Sequence, residues 1–306
     1  MIAIAQLIKL QDYVSRYEWN AYHYPSQYIR LKQENWQKLH HLWSNPQEET
    51  DELESDKTLS TFAKWKSFIK KDPVVEMNNE KADNFLPKAE EDLKHYFLDK
   101  LLPFQLKWAS STVTEVSFID KSYEKDAKLK FFLQRFPDTY LLMYYPIFSI
   151  KKAPVDGELI LISPIGIEII YLIEERPNVK ILAGDERTWG METSDQQSKM
   201  LSPLIALKRT EQIVKRILAT EQVDFPINKI VLSRTNKIVF HTEPYNTKII
   251  GKLEFEQWFN EKRNLVSPLK NRQLKVIDTL LKHCQTTSMK RPEWEEEPTF
   301  TMDDKS

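Results

Sequence analysis

Residues 155–175 read VDGELILISPIGIEIIYLIEE, and this stretch decides the fold. It contains two apolar runs, residues 158–163 and 167–173, which flank Pro164 and Gly166. Short runs rich in isoleucine, separated by proline and glycine, predict two buried strands joined by a turn. We therefore expect a strand hairpin at the centre of the chain.

Further elements are predicted on both sides of the hairpin. Ser202 and Pro203 are typical of a helix start, so a helix should follow to about Thr220. By their residue patterns, helices are also expected at 87–102, 253–264 and 269–284, and strands at 112–119, 139–150, 229–233 and 238–240. This mixture of strands and helices predicts an α/β or α+β fold.

The N-terminal region is predicted to be helical and is rich in Tyr and Trp. Leu7, Leu10, Val14 and Tyr17 recur at helical spacing, which indicates one amphipathic helix ending before Pro25. A second helix is expected over residues 26–43. The aromatic side chains either pack inside this helical hairpin or contact a partner.

Four regions follow from these patterns. Residues 1–80 form a helical, aromatic-rich region that includes an acidic linker at 46–58 and a short helix around 62–69. Residues 85–245 form the α/β domain, and residues 246–290 form C-terminal helices. The acidic tail, residues 291–306, is predicted to be disordered.

The composition excludes several functional classes. The 306 residues carry 44 Lys and Arg against 45 Asp and Glu, which excludes a strongly basic nucleic-acid wrapper. The single Cys284 excludes an internal disulfide, and the 5 glycines provide no glycine-rich phosphate loop. The first residues lack signal-peptide features and no apolar run is long enough for a membrane span, so the expected location is the cytoplasm.

The start of the predicted hairpin offers a candidate metal site. Asp156 and Glu158 are two residues apart, so in a strand they share one face. Two such carboxylates can hold a hard cation such as Mg²⁺. The alternative is that both lie in the preceding loop and face water.

The hairpin and its surroundings resemble the nuclease-related domain (NERD) family, a branch of the PD-(D/E)xK, restriction-endonuclease-like nucleases. The segment ELILISPIG, residues 158–166, matches the family's acidic residue, first strand and S-P-x-G turn. Residues 179–189, VKILAGDERTW, match its glycine-to-tryptophan segment, and residues 202–206 match the start of a later helix. Glu90 matches an early helical glutamate. The resemblance covers residues 85–245 and implies a restriction-endonuclease-like core and a bacterial cytoplasmic protein.

The chain departs from this family at the catalytic positions. Counted from Gly166, the family's E-x-K motif falls on Tyr171 and Ile173. In such nucleases the carboxylates hold the metal, and the lysine stabilises charge at the phosphate. The resemblance therefore implies a degenerate catalytic motif. Ala206 also replaces the family's glutamine.

An active site made of displaced residues is the alternative. If the second strand is long, parity places Glu175 on the face of Tyr171, where it could join Glu90 and Glu158. Arg176 or Lys180 would then supply the missing cation. The competing interpretation is that residues 174–176 form an exposed turn.

The helix after Pro203 carries a predicted basic stripe. Lys208 and Lys215, like Arg209 and Arg216, are separated by seven residues, so the four share one helix face. Such a face can follow a phosphate backbone or can simply be solvated surface.

Three functional hypotheses result. The first is a degenerate nuclease-related protein that binds DNA or RNA or serves as a scaffold, with no cofactor expected. The second is a metal-dependent nuclease that uses Mg²⁺ at Asp156 and Glu158, with Glu90 and Glu175 as further site residues. The third is a protein-interaction module that binds a protein partner through residues 1–45. The replaced catalytic positions favour a protein without enzymatic activity.

Overall fold

The computed structural model describes residues 4–45, 87–151, 153–194 and 196–291. The predicted linker at 46–58, the short helix near 62–69 and the acidic tail at 292–306 lie outside these residues. Within them the chain divides into two compact units. One holds residues 4–25 and 105–291, and the other holds residues 26–45 and 87–104.

The fold is mixed α/β, as the sequence predicts. Seven α-helices are present in the described residues: α1 (Arg16–Trp19), α2 (Tyr24–Ser44), α3 (Glu90–Trp108), α4 (Ala127–Arg135), α5 (Pro203–Thr220), α6 (Phe255–Arg263) and α7 (Asn271–Leu281). A short 3₁₀ helix covers Lys121–Lys125.

The larger unit is built on a six-stranded sheet with the order β1-β3-β6-β7-β11-β13. Its strands are β1 (Gln6–Leu10), β3 (Leu141–Tyr144), β6 (Leu159–Ser163), β7 (Gly166–Leu172), β11 (Ile227–Leu232) and β13 (Thr247–Ile250). Strand β6 is antiparallel to both of its neighbours, and the other five strands are parallel to one another. The start of β6 therefore lies at the edge of the sheet where the other strands end.

Smaller sheets complete this unit. One contains β8 (Lys180–Leu182), β9 (Thr188–Glu192), β10 (Gln197–Leu201) and β12 (Ile238–Val239), in the order β10-β9-β8-β12. The other two are pairs, formed by β4 (Ile147–Ile150) with β5 (Ala153–Asp156) and by β2 (Glu115–Val116) with β14 (Met289–Lys290).

The central sheet is buried because helices cover it. All residues of β1, β3 and β6 are buried, which explains why these strands read as continuous apolar runs. Helix α5 packs on β7 and β11, α7 contacts β6, and α4 contacts β3. Gln273 of α7 donates from Nε2 to the carbonyls of Thr139 and Ile162, at 2.7 and 3.1 Å, and so ties this helix to two strands.

An aromatic cluster joins α4 to α6. Phe136 is fully buried, and its ring lies within 6 Å of the rings of several neighbours. These are Phe131, Phe132, Tyr140, Trp258 and Phe259. The cluster fixes the C-terminal helix α6 to the same unit as the central sheet.

The structure corrects the predicted N-terminal helix. Residues 6–10 form β1, which pairs in parallel with β3, and only Arg16–Trp19 of the predicted first helix is helical. The helical spacing of Leu7 and Leu10 was misleading because both faces of β1 are buried, which removes the alternation expected of a strand. The predicted second helix is confirmed as α2.

The domain boundaries also differ from the predicted ones. The boundary expected near residue 80 lies outside the described residues. Within them the two compact units separate at 25–26 and 104–105, because residues 4–25 join the central sheet through β1. Residues 246–290 contain helices α6 and α7, but β13 makes this region part of the same sheet.

The smaller unit consists mainly of α2 and α3, which contact each other through aromatic side chains. Trp36 packs edge-on against Phe97 at 5.4 Å, and Tyr28 stacks on Phe104 at 6.3 Å. The indole of Trp43 donates to the carbonyl of Pro87 at 2.6 Å. Many of the aromatic residues in 1–45 are thus packing residues.

No helix in the described residues has the length and apolar character needed to cross a membrane.

Candidate functional site

The predicted hairpin is confirmed, and its register sets the candidate site. Leu159 pairs with Ile170 across β6 and β7, so Glu158, the residue before β6, faces Tyr171. On the other side Met143 pairs with Ile160 across β3 and β6, so the same register brings Tyr145 beside Glu158. The adjacent ends of β3, β6 and β7 therefore carry a row of three residues, Tyr145, Glu158 and Tyr171.

The chain before Glu158 is held in place by a close backbone approach. Gly157 donates its N–H to the carbonyl of Pro146 at 2.8 Å. A Cβ at Gly157 would lie 2.9 Å from the ring of Phe148 and 3.0 Å from that carbonyl oxygen. Only glycine fits here without displacing its neighbours, so this residue fixes where Glu158 enters the sheet.

Helix α5 supplies the cation of the site. The backbone N–H of Glu158 donates to the hydroxyl of Thr210 at 3.1 Å, which ties the start of β6 to α5. The adjacent Arg209 places Nη2 3.9 Å from Oε1 of Glu158. The side chain of Glu158 is 13% exposed and that of Arg209 is 49% exposed, so the pair lies at the boundary between core and solvent.

Burial dominates the electrostatics of Glu158. It raises the pKa of the Glu158 carboxyl above its ordinary value, Arg209 acts in the opposite direction, and Asp156 adds to the rise. The charges of Asp156 and Glu158 thus interact, although Asp156 ends β5 and Glu158 precedes β6. Burial and the Glu158 charge also raise the pKa of the Tyr171 hydroxyl.

Tyr145 has an unusual backbone conformation. Its φ of 47° lies in the left-handed region, which is uncommon for a bulky residue. Burial, followed by the charge of Glu158, raises the pKa of its hydroxyl to about 12. Both tyrosines of the row therefore carry their protons at neutral pH.

A second ion pair lies beyond the ends of β7 and β11. Arg234 binds Glu174 through two nitrogens, and its Nη2 lies 2.9 Å from Oε2 of that carboxylate. The guanidinium also lies over the ring of Phe131, 4.3 Å from its centroid. The pair thus lies just beyond the carboxyl ends of β7 and β11.

The predicted catalytic carboxylates have separate surroundings. Glu90 lies in the first turn of α3, in the smaller unit, where its carboxylate pairs with Lys94 at 2.8 Å. Glu175 is exposed and lies beyond the end of β7 at Leu172, with its backbone N–H bonded to Asn236 at 2.9 Å. Strand β7 therefore ends before Glu175, and the alternation of strand side chains does not place Glu175 on the face of Tyr171.

The described residues contain no group of three or more His, Cys, Asp or Glu side chains arranged to hold a metal ion. Asp156 and Glu158 provide two carboxylates. The residue opposite Glu158 is Tyr171, so a phenol and not a third carboxylate stands beside these two. Ile173, the other replaced position, is buried, and its N–H donates to the carbonyl of Leu232.

The predicted basic stripe lies on the outer face of α5, but most of its charges have partners. Lys208 pairs with Glu186, and Lys215 lies 2.8 Å from Glu211. Arg209 faces Glu158 as described above, and Arg216 is exposed. The stripe is therefore a mixed-charge surface.

Sequence reasoning found Glu158 and Asp156 but missed two members of the site. Arg209 was assigned only to the basic stripe, although it supplies the cation expected from Arg176 or Lys180. The sequence predicts one long strand over 139–150 that includes Tyr145, whereas the chain turns at this residue between β3 and β4. The Tyr144-Tyr145 pair before Pro146 was the available signal.

Comparison with known proteins gives one distant similarity. A protein described as RNA 2′,3′-cyclic phosphodiesterase from Geobacillus stearothermophilus is 33% identical over 113 residues, which cover 33% of this chain and 36% of that protein. The matched region thus spans about a third of the relative. No protein-family model matches the chain, and no solved structure matches it.

Proposed function

We propose that this protein is a relative of the nuclease-related domain family whose metal-dependent catalytic motif is degenerate, and that it binds nucleic acid, preferably RNA, at the carboxyl edge of its central sheet. In this proposal the β6–β7 hairpin and the strands beside it are a variant of the restriction-endonuclease-like core, and the protein works in a bacterial cytoplasm. It needs no metal ion for binding.

The observation that carries the proposal is the phenol of Tyr171 opposite Glu158. In the family that the hairpin resembles, a second metal-binding carboxylate stands at that position. A tyrosine supplies a flat ring and a hydroxyl there, which suit contact with a base, a sugar or a phosphate. In this proposal the position has changed from a metal ligand to a group suited to binding.

The basic face of α5 can contribute although its cations have carboxylate partners. The Lys208–Glu186 pair is exposed, with 44% of the lysine and 75% of the glutamate side chain open to solvent. Exposed pairs of this kind contribute only about 0–1 kcal/mol, so a phosphate can replace the carboxylate at small loss. Arg209 and Arg216 add two further exposed cations.

The distant relative supports RNA as the preferred ligand. That protein is described as an RNA 2′,3′-cyclic phosphodiesterase. The similarity covers about a third of either chain. It therefore supports RNA as the class of ligand, and the proposal does not include the reaction of that relative.

Fluorescence anisotropy with labelled single- and double-stranded RNA and DNA, in EDTA, tests this function. We expect binding that weakens as salt rises, with RNA bound more tightly than DNA. Arg209→Ala should raise Kd by a factor of about 5–30, equivalent to about 1–2 kcal/mol. The same substitution should make the negative slope of log K against log salt less steep, by about 0.7 for a single strand.

Lys275→Ala is the matched control because it removes one exposed charge from α7 and should leave Kd unchanged. Equal effects of the two substitutions would show that the binding is non-specific. Cleavage that requires Mg²⁺ would instead identify an active nuclease. If no nucleic acid binds, the proposal is wrong and a protein partner becomes the better hypothesis. The candidate contacts for such a partner are Trp19 and Tyr22, which are 63% and 47% exposed.

A further inference from the structure

The geometry points to an activity at the same edge of the sheet: cleavage of RNA by its own 2′-hydroxyl, with Glu158 as general base, Arg209 as the phosphate-binding cation and Tyr171 as general acid. No metal ion takes part. The inference rests on the proposed function, because the strand bound at this edge must be RNA.

The pairing of β6 with β7 places the proposed general acid, Tyr171, beside the proposed general base, Glu158. The register that pairs Leu159 with Ile170 puts Glu158 and Tyr171 directly opposite each other on antiparallel strands, and so on the same face of the sheet. Neighbouring strands lie about 4.8 Å apart, so the two side chains leave the sheet side by side. In the proposed reaction a bound phosphate contacts both side chains, and one removes a proton while the other supplies one.

Glu158 has the surroundings of a general base. Its side chain is 13% exposed, so water reaches it but does not fully solvate it. Its backbone N–H donates to the hydroxyl of Thr210 at 3.1 Å, which holds the residue at the start of β6. A carboxylate of this kind can take a proton from a hydroxyl in the transition state.

Arg209 is free enough to bind a phosphate. The distance of 3.9 Å to Glu158 is too long for a hydrogen bond, so the guanidinium keeps donors for a ligand. The bond between Glu158 N–H and Thr210 Oγ1 holds the two chain segments together. A planar guanidinium can bind two phosphate oxygens and stabilise the charge that develops on phosphorus.

Each proton and bond in the reaction is accounted for by these groups. Glu158 takes the proton of the 2′-hydroxyl as the 2′-oxygen forms a bond to phosphorus. The bond from phosphorus to the 5′-oxygen of the next nucleotide breaks, and that oxygen takes the proton of Tyr171. The products are a 2′,3′-cyclic phosphate and a free 5′-hydroxyl. Proton transfer from Glu158 to the Tyr171 phenolate restores both groups.

The test uses the full-length protein in EDTA with three labelled 12-nucleotide strands of one sequence: RNA, DNA and 2′-O-methyl RNA. We expect only the RNA to be cleaved, with 2′,3′-cyclic phosphate ends detected by mass spectrometry. Glu158→Gln should lower the rate at least about 100-fold, and Tyr171→Phe at least about 10-fold. Glu256→Gln, which changes an exposed carboxylate of α6, should cleave as the unmodified protein does and controls for contaminating nucleases.

RNA binding adds a second readout. Glu158→Gln should keep the Kd for RNA within about twofold while it lowers the cleavage rate, which shows that the variant is folded.

Cleavage of DNA or 2′-O-methyl RNA, an unchanged rate in Glu158→Gln, or no cleavage in EDTA would each overturn the inference. RNA that is bound but not cut would overturn it while leaving the proposed binding function standing. RNA that is neither bound nor cut would overturn both.

Discussion

Replacing Lys9 with methionine is expected to destabilise the protein by about 3 kcal/mol at pH 7. Lys9 is in β1 and its side chain is fully buried, and its ammonium contacts the carboxylate of Glu18 at 2.5 Å. The ammonium also donates to the carbonyl of Tyr13 and the hydroxyl of Thr286. Removal of one partner from a buried pair costs about 3–5 kcal/mol, because the other charge is left without compensation. Glu18 remains 21% exposed, which favours the lower value.

The loss should depend on pH in a defined direction. Burial raises the pKa of Glu18, and Lys9 is the main group that opposes the rise, so Lys9→Met should raise that pKa further. A protonated Glu18 is neutral, so it leaves no buried charge for the ammonium of Lys9 to compensate. The destabilisation should therefore be largest above the pKa of Glu18 in the variant and shrink as pH falls through it.

Urea unfolding of three variants measures this effect. Lys9→Met combined with Glu18→Met should lose less stability than Lys9→Met alone, because no uncompensated charge remains. Lys282→Ala removes an exposed lysine 2.7 Å from Asp278 and should change stability by less than about 0.5 kcal/mol. A double variant less stable than Lys9→Met would show that the buried pair is not the cause.

Phe136→Ala should reduce stability by about 3–5 kcal/mol. The ring is fully buried and contacts aromatic side chains from α4, α6 and the segment before β3. The substitution leaves a cavity among rigid rings that cannot easily close, so the loss of burial is combined with lost packing.

Phe118→Ala is the matched control, since the same atoms are removed from a side chain that is 65% exposed. It should change the free energy of unfolding by less than about 0.5 kcal/mol. Thermal or urea unfolding followed by tryptophan fluorescence separates the two variants. Equal losses would mean that the cluster around Phe136 does not support the fold.

Sequence patterns predicted the elements whose signals are local. The β6–β7 hairpin was predicted because its turn chemistry is adjacent in sequence, and the hydroxyl of Ser163 indeed accepts from the N–H of Gly166 at 3.2 Å. Helix α5 was predicted because Ser202 caps it and Pro203 begins it. These signals act within a few residues and need no tertiary partner.

Elements that depend on distant partners were not predictable in the same way. Strand β1 is specified by its pairing with β3, which begins at Leu141, and not by its own spacing. Strands β9 and β10 are short and mostly exposed or half-buried, so they lack an apolar run. In the candidate site, Glu158 was visible from its position before a strand, but the role of Arg209 depends on how α5 packs on β7.

The pairing of β1 with β3 has a consequence for synthesis on the ribosome. The strand is made before its partner, and Leu141–Tyr144 leaves the ribosome only after more than a hundred further residues. At about 5–20 residues per second, β1 waits roughly 7–27 s without its neighbour. During that interval the apolar sequence QLIKL is exposed to other nascent chains. The charge of Lys9 within it opposes aggregation at this stage, before Glu18 neutralises it in the folded protein.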